Sequence, residues 1–382
     1  MTEHGTRNKE RHTDDESGLQ ISESLRALRA AGPKIVVIGG GTGLSTLLRG
    51  LKELSEHLTA IVTVADDGGG SGVLRDDLGM LPPGDIRNCI LALAEIEPTM
   101  AEILQYRFSE GSLKGQSFGN LFLAALNGIS PSFDEAVRRM SDVLAITGRV
   151  LPVTNADVRL EARFENGTTV LGESKIFMAK KERKCRISKV RLLPEKPAAL
   201  PDALSAIREA DLIVFGPGSL YTSVIPNLLV SGVTEAVLQS DALKVYVLNV
   251  MTQEGETEGY TAFDHAKSLF EHSSPRLVSH CMANTSPIPE ALIRQYGAEG
   301  AEPLHLDRDR FSSAGITLVE RPLLSDTSVF ARHDPMRLAS ELIRLFLASR
   351  PRGGAFLGYG ARMLRTLDAR DALEIRFSEE SK

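Results

Sequence analysis

The chain has 382 residues, 42% of them apolar and 25% charged, with a net charge of −6. That is the composition of a soluble globular protein with material for a large core or two; its mild acidity argues against a nucleic-acid binder, which would show a basic face. No window approaches the ~20 apolar residues that span a membrane, the N-terminus lacks a signal-peptide core, and Cys89, Cys185 and Cys281 are far apart without metal spacing, so they read as reduced thiols of a cytoplasmic protein.

Residues 1–33 open as MTEHGTRNKERHTDDESG and read as a disordered tail, with Leu19 to Ala31 fit for a short helix. Lys34 to Ile38 is a continuous apolar, β-branched run, the pattern of a strand buried on both faces. Leu44, Leu47, Leu48, Leu51 and Leu54 follow at helical spacing, with Gly39, Gly40, Gly41 and Gly43 between. A strand feeding a helix through glycines leaves backbone N–H groups at a helix N-terminus, which is an anion site. Thr42 and Ser45 offer hydroxyls. The spacing is neither a Walker loop, since no Lys-Ser/Thr pair follows, nor the full dinucleotide fingerprint. A plain strand-to-helix turn is the competing reading.

Ile61 to Ala65 reads as a second strand, ending in Asp66 and Asp67 and the loop DDGGGSGVLRDDLG. Adjacent carboxylates there can accept from a ribose hydroxyl or hold Mg²⁺ that arrives with substrate phosphates; a solvated acidic loop is the alternative. Asp85 reads as an N-cap for IRNCILALAEIE. Arg87 and Asn88 fall in that helix's first turn, either solvated or beside an anion. SFGNLFLAALNG reads as a helix closed by Gly128; its Asn120 is either a satisfied core amide or a ligand contact. Asn166-Gly167 within VRLEARFENGTTVLGE marks a β-hairpin. A helix near Pro201 to Ala210 leads to the strand LIVF and a second glycine turn, Gly216-Pro217-Gly218-Ser219, then Tyr221. KVYVLNV, RLVSHCMA and GITLVER read as further strands, and Tyr296 ends a helix. Arg332 and His333 precede the helix DPMRLASELIRLFLAS, with Asp334 as N-cap and Pro335 at its first position. An arginine fixed at that electropositive end is unfavourable unless an anion shares the site; an exposed arginine pointing to water is the alternative.

The alternation predicts an α/β, Rossmann-like fold: a mostly parallel sheet with helices on both faces and a β-hairpin insertion near 157–176. Residues 34–350 read as one domain and 351–382 as an extension, partly helical. In such sheets ligands bind outside the carboxyl ends of the strands, where Gly39–Gly43, Asp66–Ser71, Gly216–Ser219 and Asn249 all fall. No Ser or Cys pairs with a histidine in a nucleophilic motif, so the site is rich in anion-binding backbone and poor in acid/base groups.

Together KIVVIGGGTGLSTLLRGLK, VTVADDGGGSGVLRDDLGMLPPGDIRNC, FGNLFLAAL, GPGSLYTSVIPNLLV, NVMTQEGET, ANTSPIP and the Arg-His-Asp before the last helix resemble the bacterial gluconeogenesis factor family, related to the 2-phospho-L-lactate transferases (the CofD-like superfamily). The resemblance runs from about Lys34 to about Ala348. It implies a UDP-sugar ligand, chiefly UDP-N-acetylglucosamine, and a role in growth on gluconeogenic carbon sources and in cell shape through peptidoglycan synthesis. It implies a metabolite-binding regulator more than an enzyme; the alternative is a transferase acting on a nucleotide-diphospho-linked 2-hydroxy acid. The implied nucleotide-sugar site is Gly40, Gly41, Thr42, Gly43, Asp66, Asp67, Asn120, Gly216, Gly218, Ser219, Tyr296 and Arg332, with no catalytic residue. No cofactor is required, beyond Mg²⁺ accompanying the nucleotide, and any metal would fall to Asp66 and Asp67. The implied partners are the UDP-sugar and an unidentified regulatory protein of cell-wall synthesis, with a homo-oligomer left open.

Overall fold

In the computed structural model, residues 25–183, 185–326, 328–350 and 355–380 are described. A sheet of seven strands forms the centre of the molecule: β1 (Ile35–Gly39), β2 (Leu58–Val62), β3 (Arg149–Pro152), β7 (Leu212–Phe215), β8 (Leu243–Val247), β9 (His280–Asn284) and β10 (Thr317–Arg321), in the order β10-β9-β8-β7-β1-β2-β3. Every pairing in it is parallel. β1, β2 and β7 are buried at every position, the burial that parallel strands covered on both faces require.

The chain builds outward from β1 to β3 on one side, then returns beside β1 as β7 and builds to β10 on the other. The direction reverses between β1 and β7, so a crevice opens outside their carboxyl ends. The two glycine turns lie there. Helix α1 (Gly41–Leu51) leaves the first turn, with Leu44, Leu47, Leu48 and Leu51 buried. It packs between α3 (Gly84–Leu93) and α7 (Pro335–Ala348).

The predicted hairpin is part of a larger unit. β4 (Arg159–Phe164), β5 (Thr169–Leu171) and β6 (Ile187–Leu193) form an antiparallel sheet in the order β5-β4-β6, with helix α5 (Glu173–Arg183) between β5 and β6. Two further expectations need correction. The loop after Asp67 becomes helix α2 (Gly69–Leu78), with Ser71 and Arg75 buried. Asp85 lies within the first turn of α3 rather than at its N-cap, which is Pro83.

Of the segment read as a tail, residues 1–24 lie outside the described residues. Residues 25–30 are helical, Leu28 is buried, and Arg29 pairs with Glu95 at 3.2 Å. The extension forms helix α8 (Leu357–Glu380), with Tyr359, Met363 and Leu367 in the core. No described helix is long and apolar enough to cross a membrane.

Candidate functional site

The first glycine turn is held by close approach. A Cβ on Gly43 would lie 2.5 Å from the Pro217 carbonyl oxygen, and one on Gly40 would lie 2.5 Å from Asp85 Oδ2. Gly41 adopts φ +69, a left-handed value that glycine reaches without strain. The two turns therefore touch, and only residues without side chains allow it. Asp85 accepts the Gly41 N–H; the enclosure of its carboxyl, aided by the Asp66 charge, raises its pKa to about 6. The following first-turn N–H groups of α1 have no acceptor within the helix. Ser45 is not a donor to a ligand: its hydroxyl bonds the Thr42 carbonyl at 3.0 Å.

The second turn is fixed by side chains. Asn249 accepts from Gly218 N–H at 3.1 Å through Oδ1 and donates to the Gly218 carbonyl at 2.9 Å through Nδ2. Ser219 Oγ donates to Gln253 Oε1 at 2.9 Å. Asn227, fully buried, donates to the Gly39 carbonyl at 3.1 Å and ties the second turn's helix to the end of β1.

Both turns open on one cavity of 290 Å³. Gly40, Gly41, Thr42, Gly43, Gly218, Ser219, Tyr296 and Arg332 all line it. Tyr296, on helix α6 (Glu290–Ala298), is half-buried and packs against Val250, Met251, Leu324 and Ala331. Arg332 is exposed and lies over the Phe330 ring at 4.7 Å. Two residues later Asp334 caps α7, accepting from Met336 and Arg337 N–H at 2.9 Å. The cavity thus combines glycine backbone, a helix N-terminus, an exposed guanidinium and an aromatic ring, the donor set for a phosphate beside a planar base. His333 also lines it; it is buried, its Nε2 has no hydrogen-bond partner, and burial lowers its pKa to about 4.

A second cavity of 200 Å³ adjoins the first and shares Ser219 and Gln253 with it. Asp66, Glu173 and Glu256 line this chamber, with Phe177 and Thr222. All three carboxyls are pushed above the ordinary carboxylate range. Burial is the largest cause for each; Asp66, Asp85 and Glu256 add their charges at Glu173. Glu256 is 2% exposed and rises to about 7, although backbone N–H groups at Leu220–Thr222 pull the other way. Sequence reading missed Glu173 and Glu256. Both lie in polar stretches far from the glycine turns, so only the tertiary fold reveals them.

Three expected site residues do not line either cavity. Gly216, the first residue of the second turn, is buried. Asp67 accepts from Ser174 N–H at 2.9 Å and latches α5 to the end of β2. Asn120 sits on helix α4 (Phe118–Gly128), buried, with its Oδ1 unpartnered. Nearby, Arg87 is buried rather than solvated and donates to Ser117 Oγ at 3.1 Å and Asn88 Oδ1 at 2.8 Å.

Asp66 and Asp67, the candidate metal ligands, turn to different partners. Asp66 Oδ1 takes the Gly68 N–H at 2.8 Å while Asp67 turns to Ser174. Among the described residues, no group of three or more His, Cys, Asp or Glu side chains is arranged to hold a metal ion.

Comparison with known proteins agrees with this architecture. The sequence signature of the 2-phospho-L-lactate transferase CofD family matches residues 35–324. A Thermoanaerobacterium thermosulfurigenes protein, provisionally named a gluconeogenesis factor, is 55% identical over 314 residues, covering 82% of this chain and 97% of its own. The gluconeogenesis factor of Bacillus subtilis is 47% identical over 314 residues, covering 82% and 98%. The crystal structure of a UPF0052 family member from Bacillus halodurans superposes with a TM-score of 0.78 at 44% identity, covering 82% of this chain and 99% of that one. With the signature spanning both glycine turns and near-full-length relatives at this identity, the chain belongs to the CofD family and, within it, to the gluconeogenesis factors.

Proposed function

We propose that this protein is a cytoplasmic UDP-sugar-binding regulator, with UDP-N-acetylglucosamine as its chief ligand. The observation that carries the reading is the convergence of both glycine turns, Tyr296 and Arg332 on one 290 Å³ cavity at the sheet's reversal point. In this reading the diphosphate sits on the N-terminus of α1, where backbone N–H groups and the helix dipole favour negative charge. Arg332 pairs with it, and Tyr296 stacks on the uracil. Mg²⁺, where it takes part, arrives on the diphosphate. The names of the relatives support a role in growth on gluconeogenic carbon sources, and the family resemblance supports one in cell shape through peptidoglycan synthesis, exerted through a protein partner that reads the ligand-bound state.

The CofD signature and the acidic chamber favour a second reading, a transferase acting on a nucleotide-diphospho-linked 2-hydroxy acid. It needs room for a large flat acceptor beside Asp66.

Calorimetric titration with UDP-N-acetylglucosamine, GDP and NAD, each with and without Mg²⁺, tests the proposal. The expected result is selective binding of the UDP-sugar, recovered intact. Arg332→Ala should weaken it by about 10- to 100-fold, the loss of one or two charge-assisted hydrogen bonds. Preference for GDP, or consumption of the nucleotide, would install the transferase instead.

A further inference from the structure

We propose that the chamber of Asp66, Glu173, Phe177 and Glu256 is the subsite for the hydroxyl-bearing pyranose ring of the bound nucleotide sugar. This rests on the UDP-sugar reading and assigns the half of the ligand that the glycine turns do not address.

Position is the first argument. The chamber and the anion cavity share Ser219 and Gln253, so a group bonded to the distal phosphate passes directly from one to the other. Its 200 Å³ suits one ring and not a second nucleotide.

Chemistry is the second. The wall presents three carboxyls, the hydroxyls of Ser219 and Thr222 and the amide of Gln253. Such a surface disfavours another phosphate. A ring carrying several O–H donors matches it. Glu256 shows an unmet need: Oε2 takes the Tyr221 N–H at 3.4 Å, while the buried Oε1 has no partner. A buried acceptor left unsatisfied is costly, so a donor from the ligand gains there.

Phe177 is the third. Its ring lies against the Gly255 backbone, yet it remains 37% exposed in an otherwise polar wall. Within a ring of acceptors, that flat apolar surface fits the C–H face of a pyranose.

A divalent cation is the rival occupant of any acidic cluster. Among the described residues no group of three or more His, Cys, Asp or Glu side chains is arranged to hold one. Burial raises the pKa of each carboxyl, which disfavours the ionised form that a metal needs.

The test is calorimetric titration of the full chain with UDP and with UDP-N-acetylglucosamine, on wild type, Phe177→Ala and Glu173→Gln, with Mg²⁺ alone as a separate arm. Thermal unfolding confirms that each variant folds. The wild type should bind the sugar nucleotide at least about tenfold more tightly than UDP, and each variant should reduce that ratio several-fold. Equal affinities in the wild type, or a ratio that neither variant moves, would overturn the subsite. So would Mg²⁺ binding that Glu173→Gln abolishes while the ratio stands. Failure of the wild type to bind UDP at all would instead bring down the nucleotide reading itself, and the UDP arm separates the two failures.

Discussion

At Gly43 and Gly128 the same substitution should have opposite effects. A methyl group at Gly43 meets the Pro217 carbonyl oxygen, a backbone atom with no freedom to withdraw. Gly43→Ala should therefore destabilise the fold by about 1–3 kcal/mol, the usual cost of overpacking, and weaken nucleotide binding by separating the turns. At Gly128, at the end of α4, an added Cβ meets nothing within 4 Å and the backbone φ is not positive. Gly128→Ala should raise stability by roughly 0.5 kcal/mol. Chemical denaturation of both variants decides this, and equal effects would show that Gly43 is not a packing position. These glycines were legible in the sequence because their spacing between a β-branched run and a leucine stripe has a local cause. Arg332 was legible because a cation before a helix N-terminus calls for an explanation. Glu173, Glu256 and the inward turn of His333 were not, since nothing near them in the chain records which cavity they face.

Helix α7 shows how an element carries a site residue. Asp334 caps it, and the Asp334 N–H bonds the Leu323 carbonyl at 2.7 Å, so the cap also anchors the segment bearing Arg332. Asp334→Ala should cost about 1 kcal/mol of stability, a normal cap loss. It should also weaken UDP-sugar binding, because Arg332 loses its mooring; an affinity that stays at the wild-type value would separate the cap from the site. The cap and Pro335 were readable as a local signature. Helix α2 was not. Its three glycines and two aspartates mark a loop by propensity, but burial of Ser71, Leu74 and Arg75, and the pairing of Arg75 with Asp157, outweigh propensity. Asp85 misled for a related reason: its type suits an N-cap, yet its carboxyl is drawn under the first glycine turn to the Gly41 N–H.

Over the whole molecule, the parallel sheet followed from the alternation of apolar runs with helical stretches, whereas its strand order, with the reversal between β1 and β7, and the full extent of the inserted unit did not. Asn166-Gly167 marks a hairpin, but the third strand, β6, lies beyond a helix and pairs with β4 across more than twenty residues. That insertion helps close the acidic chamber through Glu173 and Phe177. Glu256 titrates near 7 in the fold against an ordinary 4.5, and Asp85 near 6 against 3.8. Both carboxyls bind protons more tightly when folded, so their contributions grow as pH falls and are lost as pH rises through 6 to 7. His333 acts in reverse: near 4 in the fold against 6.5, it loses stability as pH drops below about 6.5. Between pH 8 and 6.5 Glu256 by itself should add about 1 kcal/mol, opposed by the buried histidines His265, His272 and His333, whose pKa values burial lowers. Of Glu256, Asp85 and His333, the two carboxyls outweigh the histidine as pH falls, which is measurable as a rise in Tm on acidification from pH 8. Glu256→Gln should flatten that rise, since the amide cannot titrate. A pH dependence of Tm that Glu256→Gln leaves unchanged would mean that Glu256 is ionised and solvated in the folded protein.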